Sequence, residues 1–183
     1  MSEISERYRR LSNEFAASVE QVEPDRWSAP SPCEDWTARD LVGHVVDTHG
    51  MFLGLVGRQT ESAVSVDEDP LGAFRAAAAR IQHDLDDDAL AGETFDGFFG
   101  TTRFDEAIDR FISLDLVVHG WDLAQATGLD ATIPDDEIER IMTVDIPAFG
   151  DVLHSPGVCG PALEVRQDAS AQTRLLALLG RRS

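Results

Sequence analysis

Apolar residues recur at steps of three and four along almost the whole chain, a period that a helix satisfies and a strand does not. Tyr8, Leu11, Phe15, Val19 and Val22 make one such stripe; Leu71, Phe74, Ala78, Ile81 and Leu85 make another. The period predicts four long helices over 6–22, 38–57, 70–86 and 104–127. Local punctuation agrees with it. Thr37-Ala38-Arg39-Asp40 is a capping box at the second start. Pro70 follows Asp69 at the third, and Gly128 stops the fourth. The second helix carries apolar residues on most sides and reads as central and well buried. Pro24, Pro30 and Pro32 make the first connection extended, with Trp27 and Trp36 as its anchors.

Residues 58–68 and 89–103 read as loops, the second holding the Phe98-Phe99 pair. Pro134 begins a fifth helix that Pro147 is expected to break, 162–165 read as a short strand, and Asp168 reads as the cap of a last helix ending at Gly180. The implied fold is all-α: an up-and-down four-helix bundle over 1–153, with 154–183 as a small C-terminal appendage packed on it.

Charge excludes whole classes of function. The 183 residues carry 34 acidic and 15 basic side chains, a net charge of -19, and every basic residue is Arg. Without Lys there is no Schiff-base or P-loop lysine. So negative a chain repels the phosphates of nucleic acid and of anionic membranes, so neither partner is expected. The same charge disfavours nonspecific self-association but permits a specific homodimer. No apolar run approaches the ~20 residues a membrane span needs, and the start is charged rather than apolar. Cys33 and Cys159 make no disulfide framework, so the expected compartment is the cytoplasm, with both thiols reduced.

Against this background a few polar residues are out of place. On the fourth helix the apolar stripe runs Ile108, Ile112, Asp115, His119, Asp122, Ala126. Asp115 and His119 are four apart and share a helical face. His44 lies within Leu41-Val42-Gly43-His44-Val45-Val46 and reads as part of the buried surface. Two readings stay open. The three can enclose a divalent metal between two helices, or Asp115 and His119 can form an intrahelical ion pair beside a hydrogen-bonded core histidine. Asp122, one turn past His119, is placed either to orient a histidine from outside the ligand set or to pair with an arginine such as Arg39. Trp121 is expected to pack between helices.

The remaining histidines are set aside: His49 is about 140° round the helix from His44 at 3.6 residues per turn, His83 lies off its seam, and His154 precedes a Ser-Pro turn. Cys33 stands ahead of the second helix, where the dipole can activate a thiol; the plainer reading is a small residue buried in a Pro-rich connector.

Trp36-Thr37-Ala38-Arg39-Asp40-Leu41-Val42-Gly43-His44 resembles the "Trp-Thr-x-x-Asp-Leu-x-x-His" signature of the mycothiol-dependent maleylpyruvate isomerase N-terminal domain, within the DinB-like superfamily of metal-binding four-helix bundles. Asp115 to Gly128, with His119-Gly120-Trp121-Asp122-Leu123-Ala124 at its centre, is similar to a second block found in the actinobacterial single-domain branch. The resemblance implies that His44, Asp115 and His119 are metal ligands, with Asp115 where the isomerase has Glu. It implies a divalent cation, Zn foremost and Ni, Fe, Mn or Co also accepted, and a low-molecular-weight thiol such as mycothiol acting on a small-molecule electrophile. The isomerase has a second domain, whereas about thirty residues follow the bundle here. Three readings therefore remain: metal-assisted thiol transfer or isomerisation, a non-catalytic metal-binding or stress-response bundle, or a purely structural bundle without metal.

Overall fold

A computed structural model describes residues 2–60, 64–97, 100–155 and 158–182, apart from the side chain of Asp151. The chain is mostly helical and divides into two compact units, Met1–Ala131 and Thr132–Ser183. Residues 132–153, which the sequence assigns to the bundle, cluster with the second unit.

The first unit is built on four long helical segments. α1 spans Glu3–Glu20, α2 Ala38–Leu55 and α3 Pro70–Asp86. The fourth runs through 104–127 as α5 (Phe104–Ala107), a π-helical stretch (Ile108–Ile112) and α6 (Ser113–Thr127). A one-turn helix, α4 (Asp88–Ala91), lies between α3 and α5. α1 and α2 each pack against both α3 and α6.

Their starts are chemically specified. Ser2 accepts from the Ser5 amide, the Thr37–Asp40 capping box is complete, and Asp69 accepts from Gly72 with Pro70 at the first turn. Gly128 ends α6 at φ 81°, a left-handed conformation that a side chain would strain. Tyr8, Phe15, Phe74, Leu41, Leu53, Ile81 and Ile112 are fully buried, each such side chain contributing roughly 1.5–3 kcal/mol by leaving water. Phe15 and Phe74 join α1 to α3 with ring centroids 4.7 Å apart.

Several expectations need correction. Residues 89–103 are not simply a loop: Thr94–Gly97 (β1) and Gly100–Arg103 (β2) pair as an antiparallel hairpin, Phe95 opposite Thr102. Apolar alternation over four residues was too short a signal to show it. The Phe98-Phe99 pair lies outside the described residues. α2 is not buried all round. Leu41, Val42, Val45, Phe52 and Leu53 face the core, but Met51 and Leu55 are 56% and 44% exposed. The π stretch was not legible either. It widens the turn before Asp115, and Arg7 donates to the Asp109 carbonyl at 3.1 Å and to its carboxylate at 2.7 Å.

The second unit holds α7 (Asp135–Arg140), a π stretch (Ile141–Asp145), α8 (Ile146–Phe149) and α9 (Ala171–Leu178). Pro147 does not break the fifth helix. It sits in the first turn of α8, just after the π stretch, and the helix ends at Gly150 with φ 53°. Residues 162–165 form no strand; Leu163 instead donates to the Ala177 carbonyl. The cap of α9 is Ser170, which accepts from Thr173, while Asp168 is held in a two-pronged pair with Arg166. No described helix is long and apolar enough to cross a membrane.

Candidate metal centre

The connector between α1 and α2 is rigidly tied. Ala38 donates to Ala29, Arg39 to Trp27, Ser31 to Trp36 and Trp36 to Cys33, and Asp35 adopts φ 64° to close the turn. Arg39 lies over the Trp27 ring and donates to the carbonyls of Val66 and Asp67. This lacing sets Trp36 beside the start of α2 and brings Cys33 to α6.

α2 and α6 then supply the polar residues singled out in the sequence. His44 Nε2 is 3.5 Å from Asp115 Oδ2, and His119 Nε2 is 3.9 Å from Asp115 Oδ1. One donor atom from each of the three lies within 4.8 Å of the others. The two imidazole rings meet edge-on at 5.0 Å, and the Trp36 ring sits 4.8 Å from His44 and 6.1 Å from His119. Trp36 is therefore a wall of the cluster, a role beyond the anchoring inferred from its place among prolines.

Asp122 is fully buried, and its Oδ2 lies 2.9 Å from His119 Nδ1. A carboxylate only accepts, so Nδ1 carries the ring proton and the lone pair of Nε2 faces Asp115 and His44. Of the two placements open for Asp122, the structure puts it against His119, with Arg39 engaged elsewhere. Trp121 is buried.

The cluster is less enclosed than the apolar runs suggest. The side chains of His44 and Asp115 are 35% and 30% exposed, against 9% for His119. His44 falls on the outer line of α2, with Thr48 one turn on, whose hydroxyl donates to the His44 carbonyl at 2.8 Å. Burial pushes the Asp115 carboxyl up, but the hydrogen bond with His44 and the electrostatic influence of the neighbouring imidazoles outweigh it, so its pKa lies below the usual carboxylate range. Asp115 is thus held ionised between two imidazoles, with solvent access.

The other histidines are elsewhere. His49 is fully buried, donating from Nδ1 to Val45 O at 2.7 Å and accepting at Nε2 from Tyr8 OH at 3.0 Å. His83 is exposed, and His154, also exposed, pairs through Nδ1 with the Gly160 carbonyl. The proline of its Ser-Pro turn, Pro156, lies outside the described residues. Cys33 is half-buried, its Sγ 3.5 Å from Asp122 Oδ2. Sequence reading could not find that contact, because the two residues stand 89 positions apart.

Residues 8–124 match the family described as the mycothiol maleylpyruvate isomerase N-terminal domain. The chain belongs to that family. The matched stretch includes Cys33, Trp36, His44, Asp115, His119 and Asp122. Two proteins of Mycobacterium tuberculosis, uncharacterized protein Rv0738 of strain ATCC 25618 / H37Rv and uncharacterized protein MT0763 of strain CDC 1551 / Oshkosh, are each 31% identical over 140 residues, covering 73% of this chain and 73% of the relative. No solved structure matches the chain.

Proposed function

We propose that His44, Asp115 and His119 hold one divalent cation on a DinB-like, up-and-down four-helix bundle. We propose further that the site serves transfer or isomerisation chemistry between a low-molecular-weight thiol, such as mycothiol, and a small electrophile. The observation that carries the reading is the convergence of three donor atoms from α2 and α6 at a half-open position. Two imidazoles and a carboxylate suit a first-row divalent ion, Zn foremost, and three protein ligands leave positions for exogenous groups, as in catalytic rather than structural sites.

The chain's own residues do the positioning. Asp122 fixes the His119 tautomer, so that Nε2 is the free donor. Asp115 is ionised before any ion arrives. Trp36 covers one side of both imidazoles, and the exposure of His44 and Asp115 leaves the way in for ligands. A divalent ion bound there supplies a Lewis acid that favours the thiolate form of a thiol near neutral pH.

The test is turnover by Zn-loaded protein with mycothiol and maleylpyruvate, followed by loss of the electrophile. Metal-dependent turnover that disappears in His44→Ala supports the reading. Stoichiometric metal without turnover on any thiol–electrophile pair leaves a non-catalytic metal-binding protein.

A further inference from the structure

His119 has a second side. Its Nδ1 is 2.9 Å from Asp122 Oδ2, and Asp122 Oδ2 is 3.5 Å from Cys33 Sγ. One donor atom each from Cys33, His119 and Asp122 lies within 4.8 Å of the others, as in the cluster at the other edge of the ring. Two ligands at about 2.0–2.3 Å from one tetrahedral ion stand about 3.3–3.6 Å apart, so the sulfur–oxygen spacing already equals a coordination edge. Ordinary side-chain movement lengthens the nitrogen–oxygen spacing to match.

The donors are also pre-placed. Asp122 is fully buried and His119 nearly so. Cys33 is pinned in its turn by Ser31, whose hydroxyl donates to the Cys33 carbonyl and accepts from its amide, both at 3.1 Å. A thiolate, an imidazole and a carboxylate form a softer set than two imidazoles and a carboxylate.

We propose that Cys33, Asp122 and His119 Nδ1 form a second cation position, selective for thiophilic divalent ions such as Cd²⁺ or Zn²⁺, and that it excludes occupancy of the first. Exclusion follows from the ring. A neutral imidazole offers one lone pair, at Nε2 or at Nδ1. For an ion to bind at Nδ1, the ring proton moves to Nε2, and the Cys33 thiol proton is released to solvent. His119 therefore acts as a selector between an outer N,N,O position with His44 and Asp115 and an inner S,N,O position with Cys33 and Asp122. Neither His44 nor Asp115 is a ligand of the inner position, so its existence stands apart from the proposed function, whereas its exclusion of the outer position rests on that reading.

The test titrates metal-free, fully reduced protein with Cd²⁺ and follows the thiolate-to-cadmium charge-transfer absorption together with bound metal per chain. The proposal expects the band in the wild type, in Cys159→Ser and in His44→Ala, at one ion per chain, and its loss in Cys33→Ser, Cys33→Ala and His119→Ala. Ni²⁺ binding by Cys33→Ser should survive, which separates failure here from failure of the outer site. Absence of the band in both wild type and His44→Ala overturns the proposal and leaves Cys33 as a hydrogen-bond partner of Asp122. The band at two ions per chain overturns the exclusion.

Discussion

His44 and His49 stand on the same helix, five residues apart, and the surroundings give them opposite properties. His49 faces the core. Its Nδ1 donates to Val45, its Nε2 accepts from Tyr8, and no lone pair remains for an ion. Burial lowers its pKa to about 4, although the bond to Val45 and the charge of Asp115 act to raise it. His44 faces outward, a third exposed, with Nε2 directed at the ionised Asp115 of α6. A histidine within an apolar run is thus either a satisfied core residue or a ligand, according to which side of the helix it occupies. Tyr8 and Asp115 are the partners that separate the two cases.

The largest expected effect is on metal affinity. His44→Ala should reduce Ni²⁺ affinity by more than the ~10–100-fold that loss of an outer-sphere partner costs, with the helical circular dichroism retained. His49→Gln should leave Ni²⁺ affinity within a few-fold of wild type, as read by calorimetric titration. Equal losses in the two variants would erase the distinction.

The second effect is on stability against pH. In the unfolded chain His49 titrates near its ordinary value of 6.5 and in the folded protein near 4, so the unfolded state binds more protons between these values. Its contribution is complete above about 6.5 and is lost as pH falls through that window to about 4. Thermal melts of metal-free protein should show Tm falling over this range, and His49→Gln should flatten that part of the profile.

Smaller again is Asp122→Asn, which leaves His119 free to adopt the other tautomer and should weaken Ni²⁺ binding ~10–100-fold. The smallest is Tyr8→Phe. It leaves the buried His49 Nε2 without its donor and should cost about 1–3 kcal/mol in denaturant unfolding, with Ni²⁺ affinity unchanged.

Much of the helical framework is legible because its signals are local. The Thr37–Asp40 box, Pro70 after Asp69 and Gly128 each act within one turn of chain, and the structure has a helix boundary at each. Signals failed where two local candidates competed. Asp168 and Ser170 both precede α9, and Arg166 takes the aspartate, leaving Ser170 as the cap. The π turn at Ile108–Ile112 is held at Asp109 by Arg7, about a hundred residues away, and no local pattern announces it. The site divides in the same way. Asp115 and His119 are one turn apart on one helix, so their shared face is readable. Openness of His44 and the approach of Cys33 to Asp122 depend on how the connector and α6 meet, which helical spacing does not encode.

An anomalous difference map from a crystal soaked in Ni²⁺ tests the central claim most directly. The account predicts one peak at about 2.0–2.2 Å from His44 Nε2, an Asp115 oxygen and His119 Nε2, with His49 still bonded to Tyr8 and Val45. A protein that binds stoichiometric Ni²⁺ with the peak elsewhere, or with His44 outside coordinating distance, would contradict it.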